Sequence, residues 1–158
     1  MADVKSAQVT ALDAEPTEVL EPGTLGGRVR IAKFSVDLTD VGSGDVAYCI
    51  DLPPNAVLHE LRLFQDGSDS TTFDFGNTTQ PDGILDGQAI NQELSIQAAN
   101  NNSTGTNGFS PEDWFKPLWE AMGYSSRVAA GSRIRLKLTP GSEPANNTVF
   151  GTITYVVD

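Results

Sequence analysis

The sequence predicts an all-β fold: an antiparallel β-sandwich or jelly-roll-like barrel of about seven or eight short strands, with one short helix and an extended N-terminal arm. Three observations lead there. Apolar residues alternate with polar ones over short runs, as in 132–139, where Ile134, Leu136 and Leu138 share one face. The runs are bounded by turn-forming clusters such as Pro53-Pro54-Asn55 and Asp66-Gly67-Ser68. Only one stretch carries a helix start signal, so strands do not alternate with helices and a parallel α/β sheet is not expected.

The chain divides at residue 27. Residues 1–27 are acidic, contain Pro16 and Pro22, and end in Gly26-Gly27. Their aliphatic residues Val4, Val9, Leu12, Val19, Leu20 and Leu25 show no sustained period, so the segment cannot bury enough surface to fold alone. A solvating tail is one reading. Six aliphatic residues are more than such a tail needs, and we read an arm that orders against a neighbour through Leu12, Val19, Leu20 and Leu25.

The sandwich domain spans 28–158. Its first strand alternates as Val29 and Ile31, then Phe34, Val36 and Leu38; the change of phase at Ala32-Lys33 predicts a bulge or a switch between sheets. Residues 45–52 form a strand with Val46, Tyr48, Ile50 and Leu52 on one face. Pro53 ends it, because proline cannot donate to a ladder. Residues 56–65 follow as a central strand, with Val57, Leu61 and Leu63 on one face and Leu58 and Phe64 on the other. A short strand over 71–76 turns Phe73 and Phe75 inward. Residues 77–109 are irregular, with Ile84, Leu85, Ile90, Leu94 and Ile96 anchoring a loop and one strand at 93–98; 98–108 is a polar loop. Ser110-Pro111-Glu112-Asp113 then starts the one helix, with Ser as cap and acids at the positive end of the dipole. Pro117 limits it to two or three turns and Gly123 stops it. Two regular strands close the chain, the last over 148–157 with Val149, Ile153, Tyr155 and Val157 inward.

Composition excludes several function classes. The 158 residues suit one domain and bury enough surface to fold without a metal or a disulfide framework. With 10 basic against 21 acidic residues the net charge is −11, which argues against nucleic acid as a partner, since phosphate binding relies on displacing counterions with Lys and Arg. Arg133, Arg135 and Lys137 alternate onto one strand face, read as a solvated row or as a contact for an acidic neighbour. No apolar run approaches the ~20 residues of a membrane span, and the N-terminus lacks a signal-peptide pattern. A soluble protein made in the cytoplasm is expected, and the sequons at Asn77, Asn101, Asn102 and Asn146 reflect polar loops.

No catalytic constellation emerges, and no enzyme is expected. Cys49 reads as a small buried hydrophobe. His59 stands alone, and strand neighbours such as His59 and Glu60 point to opposite faces, so neither a zinc site nor an acid–base pair is expected. Asp66, Asp69 and Asp74, and separately Asp82 and Asp86, offer oxygens for calcium, but Asp in turns routinely caps backbone instead and the spacing is not that of an EF-hand. No cofactor is expected. The best interaction candidates are Trp114, Phe115 and Trp119 of the helix, either as a plug for one end of the sandwich or as an oligomer interface, where such residues are enriched.

The order of these parts resembles tailed-bacteriophage capsid decoration (cement) proteins. The matching pieces are Leu52-Pro53-Pro54, the strand from Leu58 to Leu63, Thr72-Phe73-Asp74-Phe75-Gly76, Asp86-Gly87 and Gly151-Thr152-Ile153-Thr154-Tyr155. They cover 30–98 and 132–158; the tryptophan helix and the Asn-rich loop fall outside the pattern. The resemblance implies a β-sandwich on the outer capsid surface of the virion, commonly a homotrimer, made in the host bacterium and bound to the major capsid protein. A head-fibre or tail-appendage module binding host carbohydrate is the alternative.

Overall fold

The computed structural model describes residues 28–67, 70–90, 93–97, 109–110, 112–129 and 131–157. The arm with Leu12, Val19, Leu20 and Leu25, the calcium candidate Asp69, Pro111 and the loop 98–108 lie outside the described residues. Among the described residues there are eight strands: β1 (Arg28–Asp37), β2 (Ala47–Leu52), β3 (Val57–Gln65), β4 (Thr72–Gly76), β5 (Leu85–Ala89), β6 (Glu93–Gln97), β7 (Ile134–Pro140) and β8 (Thr148–Val157). They form two four-stranded antiparallel sheets, ordered β1-β8-β3-β6 and β2-β7-β4-β5. The pairing is nested: β4 with β5, β3 with β6, β2 with β7, and β1 with β8. The chain is one long hairpin rolled over on itself, which is jelly-roll topology.

The inner faces of the two sheets supply the core. From the first sheet come Leu58, Leu61, Leu63, Val149 and Ile153; from the second come Leu52, Phe73, Phe75, Ile134, Leu136 and Leu138, all buried. Each such side chain stabilises the fold by roughly 1.5–3 kcal/mol. Phe34 of β1 stacks on Phe75 of β4 with ring centroids 5.9 Å apart, tying the two sheets together at one edge. Phe34 is opposite Gly151 in the ladder, and its ring fills the space a side chain there would need.

Three departures from the expected strands share one cause: where bulges fall decides which face a residue takes. β1 has no bulge. Its ladder with β8 runs unbroken from Arg28 to Asp37, so Val29 and Ile31 lie on the face opposite Phe34 and are 68% and 62% exposed. β2 does have one, at Cys49, where the ladder to β7 skips a residue. Ala47 and Leu52 are therefore inward while Val46 and Tyr48 are exposed, contrary to a single apolar face. In β3 the skip falls at His59, so Leu58, Leu61 and Leu63 all face the core and Val57 and Phe64 do not. The same bulge keeps both His59 and Glu60 off the core face, where strict alternation had separated them. Separately, 85–89 is a strand rather than loop, with Gly87 in the left-handed region at φ 57°.

Lys137 also departs from expectation. It lies on the outer face with Arg135, but between Tyr48 and Gly76 in the ladder it is only 9% exposed.

Candidate interaction surface

Residues 112–124 close over one end of the sandwich. They form a 3-10 turn, Asp113–Phe115, followed by a single helical turn, α1 (Leu118–Ala121). The expected helix of two or three turns is split, because the residue before a proline is driven out of the helical region and Lys116 is extended at φ −93°, ψ 151°. Gly123 at φ 76° stops the segment as expected. Pro117 precedes α1 without a donor, and the next two amides reach across to the β2–β3 turn: Leu118 N–H donates to the Ala56 carbonyl (2.7 Å) and Trp119 N–H to that of Pro54 (3.0 Å).

Burial sorts the three candidate aromatics. Trp114 is 2% exposed and meets the Phe109 ring edge-to-face at 5.3 Å, so it faces its own core. Leu118 and Met122 are buried with it. Trp119 is half-buried, and Phe115 is 75% exposed on the opposite side of the turn. Asp113 locks this end: its carboxylate accepts from the Ser110 amide (2.9 Å), the Ser110 hydroxyl (2.7 Å) and Lys116 Nζ (2.9 Å). Partial burial opposes its charge, but the hydrogen bonds from Lys116 and Ser110 outweigh this and hold its pKa below the ordinary carboxylate value.

Two sheet faces carry further exposed apolar groups. On the β1-β8-β3-β6 sheet, Val29 lies opposite Val156, which in turn lies opposite Val57. Ile31 is next along β1, which is an edge strand. Such an edge offers unpaired backbone donors and acceptors to any neighbour. On the other sheet the exposed Tyr48 ring has the Arg135 guanidinium 5.6 Å from its centre, and Arg135 grips Asp51 with two bonds of 2.7 and 2.9 Å. The hydrogen bond from Arg135 is the main reason the Asp51 carboxyl is held below its usual range. Sequence reasoning missed Val29, Ile31 and Tyr48 as surface groups. The parity of β1, counted back from Phe34 without a bulge, was the signal that could have found the first two.

The chemistry of the remaining candidates is structural. Asp66 accepts from the Thr148 amide (2.7 Å) and Asp74 from that of Gly87 (2.8 Å), each tying two neighbouring strands together. Among the described residues no group of three or more His, Cys, Asp or Glu converges as metal ligands would. Burial pushes the Cys49 thiol up to about 12, so at neutral pH it is not the thiolate a nucleophile requires. No helix among the described residues is long and apolar enough to cross a membrane.

No protein-family model matches this chain, and no curated protein matches it. Among solved structures, a chain of the "Cyanophage Pam1 capsid asymmetric unit" is similar in fold, with a TM-score of 0.58 and 17% identity. The match covers 92% of this chain and 97% of that one, so the two are of about the same length.

Proposed function

We propose that this protein is a structural component of a tailed-phage head. In this reading it binds the outer surface of the capsid shell and stabilises it, acting as a trimer and catalysing nothing. The observation that carries the reading is the full-length likeness to a chain of a cyanophage capsid asymmetric unit that is equally small. Jelly rolls are a recurrent architecture of viral shells, which agrees with it. So do the surface groups: an open β1 edge bearing Val29 and Ile31, and the exposed Phe115, are apolar sites that a neighbouring subunit would cover. Residues 1–27 run directly into that edge strand and serve as the reaching arm. On a repeating shell, modest contacts are multiplied by avidity, and binding only the expanded shell stabilises that state by mass action.

The test is co-sedimentation of the purified protein with expanded, empty capsids of its own phage, with and without residues 1–27. Saturable binding at a fixed ratio to the major capsid subunit is expected, lost or weakened at least about tenfold without the arm. Analytical ultracentrifugation of the free protein should give three times the chain mass. Absence of binding to the cognate shell would sink the proposal.

A further inference from the structure

Two walls of backbone enclose a cleft of about 320 Å³ at the end of the sandwich where β2 turns into β3. One wall is Pro53 and Pro54; the other is the segment leading into β7, with Val128 and Ser132. Arg127 and Arg133 both line it. The walls are held from behind. Ala56 N–H donates to the Pro53 carbonyl (3.1 Å), α1 takes up the carbonyls of Pro54 and Ala56, and Ser132 N–H closes on the Ala129 carbonyl (3.1 Å).

The two arginines are among the six of nine described cations that lack a bonded carboxylate, and what sets them apart is that they share one cleft. Three described cations, Arg62, Lys116 and Arg135, each pair with a carboxylate. Among the described residues the Arg127 side chain has no ion pair or hydrogen bond, and Arg133 only senses Asp51 through space. In a protein with 21 acidic and 10 basic residues, two cations sharing one cleft without a bonded acid is a specific arrangement. Guanidinium forks bind carboxylates two bonds at a time, while the proline rings and Val128 suit the methylenes of a Glu side chain. A nucleic acid does not fit, since two cations on a chain of net charge −11 do not offset a polyanion.

We propose that in the capsid-free protein this cleft is a carboxylate-binding site and that its occupant is the acidic segment 11–22 of the same polypeptide, through Asp13, Glu15, Glu18 or Glu21. Charge and topology both favour it. No Lys or Arg occurs between residues 6 and 27. Arg28 lies opposite Val157, and Val57 opposite Val156, so β1 and β3 begin on either side of the same end of β8. The chain therefore enters the body roughly 10 Å, two strand spacings, from the start of the strand that follows the proline wall. At ~3.3 Å per residue, Glu21 and Glu18 reach the cleft with slack. Tethering sets an effective concentration of about millimolar, so a modest site suffices.

The inference does not rest on the capsid reading, and its test uses no capsid. Full-length protein carrying Arg127→Lys keeps the charge and introduces an amine that a water-soluble carbodiimide joins only to a carboxylate in contact. Melting at the wild-type temperature confirms the fold. Peptide mapping of monomer-mass product is expected to show position 127 joined to Asp13, Glu15, Glu18 or Glu21. Adding Arg133→Glu to the same chain should lower that yield by up to about fivefold, the size of one exposed ion pair. Cross-links from position 127 to body carboxylates alone, or none, would overturn the proposal. The expected link appearing only in dimer-mass product would overturn it too, making a second copy the occupant.

Discussion

Gly151 and Phe34 are a matched pair across β8 and β1. The Phe34 ring lies where a Cβ on residue 151 would have to go, and it cannot move freely because its other face stacks on Phe75. Gly151→Ala should therefore lower stability by about 1–3 kcal/mol, the usual cost of overpacking, read as a shift in the urea midpoint at constant slope. Asp113 makes a different prediction. A carboxyl whose folded pKa is depressed contributes stability that is present above its unfolded value and lost as pH falls through the folded one. Asp113→Asn should cost about 0.5–1 kcal/mol at pH 7, a figure discounted for its partial exposure. The gap between mutant and wild type should close as pH drops below the ordinary carboxylate range, which urea titrations at successive pH values would show. Glycine at 151 reads in the sequence as part of a strand motif; that Phe34, 117 positions earlier, needs the space is visible only in the ladder.

Among elements, the closing segment shows what one proline decides. Pro117 breaks the helix, and the break points Trp114 and Leu118 into the body while Phe115 stays out. Leu118→Ala should destabilise by about 2–4 kcal/mol through a buried cavity. Phe115→Ser should stay within about 0.5 kcal/mol of wild type, as surface changes do. Calorimetry of the two variants separates a plug from a decorated surface; equal losses would mean that Phe115 is packed. The proline break and the stop at Gly123 were legible locally, but the start was not: the Ser110 hydroxyl donates to Asp113 instead of capping, and the 3-10 turn begins at Asp113 with no side-chain cap. The strands β4, β7 and β8 were legible too, because their alternation is unbroken. β2 and β3 were misread by one face each, since nothing in VAYCI or VLHEL marks Cys49 or His59 as the extra residue. Bulge placement depends on the partner strand, and the partners lie far along the chain.

For the whole molecule, the class of fold was legible and the surface largely was not. Turn-bounded alternation announces a sandwich, but the cleft brings Arg127 and Arg133 to Pro53 and Pro54, residues more than 70 positions away. Only the nested pairing of strands does that. The same nesting has a kinetic consequence. Arg28 meets Val157 across almost the whole body, and closing so long a loop directly would make folding slow. Pairing that starts at β4 and β5, whose connection runs only from Gly76 to Leu85, shortens every later search, because each formed pair delivers the next two strands side by side. The molecule should fasten from its middle outward. Phe73→Leu in β4 is then expected to slow refolding, and Ile153→Val in β8 to speed unfolding while leaving refolding nearly unchanged, in stopped-flow urea chevrons. The last strands to fasten are the first to let go, so the end of the body where residues 1–27 attach is also where the protein opens most readily.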